Sequence, residues 1–75
     1  MPEPLVKILL RTAPNTDISK VTRDTLLKAD LGLTSLDFIV LMVEIQDQYG
    51  ISIPETASLE TVGDVLDFMN IKGDF

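Results

Sequence analysis

Apolar residues recur at helical spacing near both ends of this chain. Leu5, Ile8 and Leu9 follow the i, i+3, i+4 pattern of an amphipathic helix. Pro14 is expected to end that helix, because a proline disfavours helical backbone at the residue before it. The segment 62–69 has the same apolar spacing. The pattern therefore predicts one helix in each segment.

The strongest helical signal lies between these two, from about Ser35 to Tyr49. Thr34 precedes it as a residue that can cap a helix, and Asp37 follows three positions later in the spacing of a capping box. Gly50 suits the left-handed residue that closes many helices. The same capping-box spacing recurs over residues 61–64, at the start of the last predicted helix.

Two connections join these helices. The first, from Asn15 to Thr34, has about 20 residues, and a loop of this length usually carries a function or is held by its own side chains. The side chains expected to hold it are Ile18, Val21, Leu26, Leu27, Leu31 and Leu33. The second connection contains Pro54, which can open a short helical turn reaching to about Leu59. We predict an all-α fold, a small four-helix bundle of three main helices and one short helix, with a long loop between the first two main helices.

The central helix carries two apolar stripes. At about 100° per residue, the expected core face consists of Phe38, Leu41, Met42, Ile45 and Tyr49. A second apolar set projects from nearly the opposite side, with acidic residues around it. Its members are Leu36, Val40 and Val43, with Ile39 at the edge, and the acids are Asp37, Glu44 and Asp47.

The second stripe has two interpretations. In one, the helix is central to the fold and buried around most of its circumference. In the other, the stripe is an exposed docking surface, apolar in the middle with an acidic rim. The acids favour docking, because three carboxylates beside a fully buried face would lose their hydration.

Composition limits the chemistry that this chain can perform. Its 75 residues, 45% of them hydrophobic, indicate one small folded domain over residues 1–75. The sequence has no Cys and no His, which excludes disulfides, thiolate nucleophiles, imidazole bases and nearly all zinc or copper sites. The longest apolar run, 38–43, is far shorter than the roughly 20 residues of a membrane span. We therefore expect no metal site, no membrane span and no signal peptide.

The net charge of -6 is distributed unevenly along the chain. Residues 1–29 hold five basic and three acidic residues, whereas residues 30–75 hold nine acidic residues and the single base Lys72. The acidic part is expected to repel nucleic acid and anionic membranes and to attract basic protein surfaces. A surface charge that only keeps the protein soluble is the alternative.

Ser35 lies at the predicted start of the central helix, just after a loop that contains Gly32. Amide donors and the positive end of the helix dipole favour an anion there, so a phosphate ester on this hydroxyl would be well placed. As a catalytic nucleophile Ser35 lacks a histidine base, and residues 32–36 do not match the strand-to-helix elbow of hydrolases. The simpler alternative is that Ser35 only caps the helix.

Three segments taken together resemble the acyl carrier protein family. They are Asp30-Leu31-Gly32-Leu33-Thr34-Ser35-Leu36-Asp37, Tyr49-Gly50-Ile51-Ser52-Ile53-Pro54 and Thr61-Val62-Gly63-Asp64-Val65. The resemblance covers roughly residues 5 to 70. It implies that Ser35 is esterified by 4′-phosphopantetheine, which a phosphopantetheinyl transferase moves from coenzyme A. The arm ends in a thiol that holds acyl groups as thioesters, so the reactive sulfur arrives with the prosthetic group.

The resemblance further implies a non-catalytic carrier in fatty acid, polyketide or related biosynthesis. Its partners would be acyl-loading, condensing and tailoring enzymes with basic docking patches. The residues expected to meet them are Leu36, Asp37, Val40, Val43, Glu44 and Asp47. We expect a cytoplasmic monomer, and the absence of cysteine is compatible with that compartment.

Three questions stay open on the sequence. The family usually has Asp before the modified serine, where this chain has Thr34, and this departure favours a role outside primary fatty acid synthesis. The cargo could instead be an aminoacyl group in a peptide-type pathway, or the chain could be an unmodified helical adaptor using the same docking helix. Candidates for an acyl-sheltering lining are Leu41, Ile45, Ile53, Leu59, Val62 and Leu66, which suit an ordinary core equally well.

Overall fold

Three α-helices and one 3₁₀ turn form the regular structure of the described part of the chain. The computed structural model describes residues 3–54 and 57–73. Helix α1 spans Glu3–Thr12, the 3₁₀ turn spans Ile18–Lys20, α2 spans Ser35–Tyr49 and α3 spans Val62–Phe68. The all-α prediction is confirmed, and residues 3–54 and 57–73 contain no strand. Within those ranges, no helix combines the length and the apolar character needed to cross a membrane.

Both predicted capping boxes are present. At the start of α2, the amide of Asp37 donates to Thr34 Oγ1 and the amide of Thr34 donates to the Asp37 carboxylate, each at 3.1 Å. At the start of α3, the amide of Asp64 donates to Thr61 Oγ1 at 3.0 Å, and the amide of Thr61 donates to Asp64 Oδ2 at 3.1 Å. Gly50 closes α2 in the left-handed conformation, with φ of 63°. These local bonds set where the two helices begin and where α2 ends.

The core is built from one face of each helix. Helices α1 and α2 pack against each other. The side chains exposed by less than 2% are Leu5, Ile8, Leu9, Leu27, Leu41, Ile45, Val62, Val65 and Leu66. Met42 is also buried, and Phe38 and Tyr49 are partly buried against this cluster. The predicted core stripe of α2 is therefore confirmed.

The second stripe of α2 is exposed to solvent. The relative exposures are 69% for Leu36, 57% for Ile39, 44% for Val40 and 49% for Val43. The interpretation in which this helix is buried around most of its circumference is therefore wrong. One face of α2 supports the core, and the opposite face presents apolar side chains to water.

The long loop is held partly by its side chains and partly by its backbone. As predicted, Val21, Leu27 and Leu33 are buried, and Ile18 and Leu31 pack against the core. The prediction for Leu26 was wrong, because that side chain is 41% exposed.

Backbone pairing with the segment before α3 explains the orientation of Leu26. The amide of Leu27 donates to the carbonyl of Glu60, and the amide of Val62 donates to the carbonyl of Thr25, each at 2.9 Å. Residues 26 and 61 thus form an isolated antiparallel bridge. Successive side chains of extended backbone point to opposite sides, so Leu27 enters the core and Leu26 faces outwards.

The short helix predicted between Pro54 and Leu59 falls partly on Glu55 and Thr56, which lie outside the described residues. The described residues of this segment, 54 and 57–59, are not helical, although the amide of Ala57 donates to the carbonyl of Pro54 at 3.0 Å. The amide of Ile53 donates to Gln46 Oε1 of α2 at 2.8 Å. This bond holds the start of the segment against α2. It also gives the amide of Ile53, which lies outside any helix, a hydrogen-bond acceptor.

Candidate functional site

Ser35 is the first residue of α2, and its side chain is exposed. The residue that caps the helix is Thr34, whose Oγ1 accepts the amide of Asp37. The alternative in which Ser35 serves as the cap is therefore wrong. Its hydroxyl stands on the surface beside a helix start that another residue already stabilises.

The chain on either side fixes the position of Ser35. Gly32 has φ of 68°, a left-handed conformation that side-chain-bearing residues rarely adopt, and it turns the chain into α2. Leu33 is buried and anchors the turn in the core. Because the capping box then locks Thr34 and Asp37 together, the backbone at Ser35 is held from both sides.

The electrostatic setting of Ser35 favours a negatively charged substituent. The first amides of an α-helix have no partner within the helix and form the positive end of its dipole. The Lys28 ammonium lies 5.2 Å from the ring centroid of Phe38, about one turn after Ser35, and the carboxylate of Asp37 is bound by the amide of Thr34 in the same turn. A phosphodiester on Ser35 Oγ fits this environment.

The residues expected to dock partners lie on the exposed side of α2, and they are either apolar or acidic. Leu36, Val40 and Val43 form an apolar strip together with Ile39, and Asp47 is exposed near its C-terminal end. Asp37 is half-buried, and one of its carboxylate oxygens accepts the amide of Thr34.

Glu44 differs from the other docking candidates because it is engaged within the chain. Its Oε1 accepts a hydrogen bond from Arg11 Nε at 3.2 Å, and its Oε2 lies 3.4 Å from the Thr12 hydroxyl oxygen, which donates its proton to the carbonyl of Ile8 at 2.9 Å. Sequence reasoning missed this contact between α1 and α2. The sequence places Lys7 and Arg11 four residues apart, on one face of α1. This spacing indicates a cationic edge of the helix, but it does not indicate which acidic residue lies next to that edge.

The six candidates for an acyl-sheltering lining lie in two different places in the fold. Leu41, Ile45, Val62 and Leu66 are in the core, and the space among the core side chains does not admit a water molecule. Ile53 and Leu59 instead line a surface groove of about 500 Å³ between α2 and the segment that precedes α3. The α2 side of this groove includes Phe38, Ile39, Met42, Val43 and Gln46. The candidates therefore do not form one pocket.

The sequence matches the phosphopantetheine attachment site family over residues 5–69. The chain belongs to this family, whose members include acyl carrier proteins, and its prosthetic group is 4′-phosphopantetheine. The match begins within α1 and runs through the long loop and α2 past the end of α3.

Proposed function

We propose that this chain is an acyl carrier protein in which the Ser35 hydroxyl bears the 4′-phosphopantetheine group and residues 1–75 act as a single carrier domain. The observation that carries the proposal is the exposed hydroxyl at the first position of α2, next to a cap made by Thr34. When bound, the group supplies a thiol that holds cargo as a thioester.

The residues around Ser35 have distinct parts in this proposal. The Thr34–Asp37 capping box keeps the start of α2 formed, so the positive end of the helix dipole would be available to a phosphodiester on Ser35. Lys28 contributes a positive charge beside Phe38, about one turn after Ser35. The exposed strip of α2 begins at Leu36, next to the attachment point, so a partner that binds the strip also receives the arm.

Domains of this family are generally non-catalytic carriers, and we propose that this chain itself catalyses nothing. Its partners in the proposal are a phosphopantetheinyl transferase and the acyl-loading, condensing and tailoring enzymes of a cytoplasmic fatty acid, polyketide or related pathway. An aminoacyl cargo is the alternative. The intact mass of the protein purified from its native host distinguishes these cargoes, because each adds its own mass to the arm.

The attachment site is tested with apo-protein, coenzyme A, Mg²⁺ and a broad-specificity phosphopantetheinyl transferase. Intact-mass spectrometry should show the gain of one phosphopantetheinyl group by the wild type and by Ser58→Ala, a variant of another exposed serine. Ser35→Ala should gain nothing. Modification of Ser35→Ala, or no modification of the wild type, would contradict the proposal.

An unmodified helical adaptor predicts a different pattern for partner binding. Under that alternative, Ser35→Ala leaves pathway function intact and Val40→Asp abolishes it. Under our proposal both variants lose function, because one removes the arm and the other disrupts the docking strip. Complementation of a deletion strain by each variant separates the two functions.

A further inference from the structure

Two openings flank the first turn of α2. The first, which we call the polar cleft, has a volume of about 510 Å³ and lies between the end of α1, the start of the long loop and residues 30–33. The second, which we call the Lys28 groove, has a volume of about 460 Å³ and lies between loop residues 26–29 and residues 57–60. Asp37 lines the polar cleft, and Phe38 lines the Lys28 groove. A group attached to Ser35 therefore has a recess on either side of the helix start.

Helical geometry places Ser35 on the side of the Lys28 groove. At about 100° per residue, Ser35 and Phe38 are about 60° apart around the axis of α2, whereas Ser35 and Asp37 are about 160° apart. Side chains three positions apart are neighbours on the surface of a helix. A substituent on Ser35 Oγ therefore leaves α2 next to the Phe38 ring and away from the polar cleft.

The charges of the two linings agree with this geometry. The polar cleft is lined by three acids and one base, which are Asp17, Asp30, Asp37 and Lys20. Each of the three carboxylates accepts a hydrogen bond from a backbone amide, which fixes its position. Among the described residues, the charged ones that line the Lys28 groove are Lys28 and Glu60, whose charges cancel. A phosphodiester is therefore repelled by the polar cleft and not by the Lys28 groove.

Lys28 provides an exposed cation near the Ser35 end of its groove. Its ammonium lies 5.2 Å from the centroid of the Phe38 ring. Within residues 3–54 and 57–73, no carboxylate forms an ion pair with this ammonium, and Glu60 shares the groove without binding it. A cation–π contact at an exposed site is weaker than a charge-assisted hydrogen bond between an ammonium and a phosphate oxygen. Lys28 can therefore exchange the ring for a phosphodiester about one helical turn away.

We infer that Lys28 is a positioning residue for the prosthetic arm: its ammonium binds the phosphodiester on Ser35 and directs the arm along the Lys28 groove instead of the polar cleft. The inference rests on the proposed carrier function and assigns a further residue to the attachment site. The lining of the groove suits this arm, which alternates amide groups with short hydrocarbon segments. Phe38 and Leu59 offer apolar contacts there, and Ser58 offers a hydroxyl.

The first test compares the apo- and holo-forms of the wild-type protein and needs no substitution. Both forms are treated with an amine-acetylating reagent, and peptide mass spectrometry follows the rate of acetylation at each lysine. Lys28 should react about threefold more slowly in the holo-form, because the phosphodiester holds its ammonium. Lys20, the exposed lysine of the polar cleft, is the internal control and should react at the same rate in both forms.

The second test locates the arm by comparing two-dimensional ¹H–¹⁵N NMR spectra of the apo- and holo-forms. Attachment of the arm should shift the amide resonances of residues 57–60 and leave those of residues 13–17 unchanged. Lys28→Gln should lose most of the shifts at 57–60, whereas Lys28→Arg should retain them because it keeps a cation. Lys20→Gln is the matched control and should give the same shifts as the wild type. Circular dichroism of the apo-forms shows whether each variant is folded.

The outcomes separate this inference from the carrier function, because intact mass reports the attachment of the arm independently. Equal reactivity of Lys28 in the two forms, or equal shifts in Lys28→Gln and the wild type, would overturn the inference and leave the carrier function intact. Slower acetylation of Lys20, with shifts at residues 13–17, would assign the arm to the polar cleft and would also overturn it. No gain of mass by the wild type would overturn the carrier function and this inference together.

Discussion

The amide of Gly63 donates a 2.8 Å hydrogen bond to the carbonyl oxygen of Arg23, and a Cβ added at Gly63 would lie 2.8 Å from that same oxygen. The long loop and the first turn of α3 therefore touch backbone to backbone. The Arg23 side chain continues this contact, because its guanidinium donates to the Asp67 carboxylate and, at 3.0 Å, to the carbonyl of Gly73. Residue 63 must be small for the loop to reach α3.

Gly63→Ala is expected to destabilise the fold by about 1–3 kcal/mol, because the new methyl group meets backbone that cannot move aside cheaply. Urea denaturation followed by circular dichroism measures the change. Gln48→Ala, at an exposed helical position, is the control and should stay within about 0.5 kcal/mol of the wild type. Equal stability of Gly63→Ala and the wild type would show that the loop can separate from α3 without cost.

Thr34→Ala should cost about 1 kcal/mol of stability, since it removes the oxygen that accepts the Asp37 amide at 3.1 Å. Thr34→Asp should stay within about 0.5 kcal/mol of the wild type, because aspartate caps helices as well as threonine does. The free energy of unfolding from urea titration checks both values. A loss in Thr34→Asp as large as that in Thr34→Ala would mean that the cap does not depend on a side-chain oxygen.

Asp64 makes the stability of the fold depend on pH. The amides of Glu60 and Thr61 donate to its carboxylate at 2.9 and 3.1 Å, and these bonds hold the pKa of Asp64 below its usual range, although partial burial acts in the opposite direction. Because the folded-state pKa is the lower one, this stabilisation is complete above about pH 4, the ordinary aspartate value, and is lost as the pH falls through the folded-state pKa.

We expect Asp64→Asn to lose stability at pH 7 and to approach the wild type as the pH is lowered below about 4. Urea denaturation at a series of pH values measures the difference between the two proteins. The other carboxylates titrate in both proteins, so their contribution cancels in the difference between the two free energies of unfolding. A difference that does not change with pH would contradict the assignment to Asp64.

The pair formed by Arg11 and Glu44 should contribute about 0.5 kcal/mol, as expected for a partly exposed ion pair, and its contribution should shrink as salt is added. A double-mutant cycle with Arg11→Gln, Glu44→Gln and the double variant isolates this coupling energy. A coupling of zero at low salt would mean that Glu44 is not held by α1.

Tyr49→Phe should stabilise the protein by about 1 kcal/mol. The Tyr49 hydroxyl is buried, and within residues 3–54 and 57–73 it has no hydrogen-bond partner, so removing it relieves a desolvation cost. Thermal and urea denaturation check the direction. Tyr49→Leu, which also removes ring contacts with the core, should be less stable than Tyr49→Phe. Destabilisation of Tyr49→Phe would indicate that the hydroxyl is bonded after all.

The elements that sequence reasoning located correctly depend on residues close together in the chain. Both capping boxes join residues three positions apart, and Gly50 closes α2 through its own backbone conformation. The division of α2 into two stripes follows from helical periodicity alone. The choice of the stripe that faces water depends on the positions of α1 and α3, although the three carboxylates of Asp37, Glu44 and Asp47 favoured exposure of the second stripe.

The amino-acid sequence by itself determined the three main helices, the capping-box spacings at the starts of α2 and α3, and the place of Ser35 at the start of α2, because spacings of three and four residues specify them. Only the tertiary structure decided that Glu44 is bound by Arg11, 33 positions earlier, and that Leu26 faces outwards while Leu27 is buried. These outcomes depend on how α1 meets α2 and on the backbone pairing of the loop with the segment before α3. Residue spacing within one helix contains no information about either contact, since both join segments that are distant in the chain.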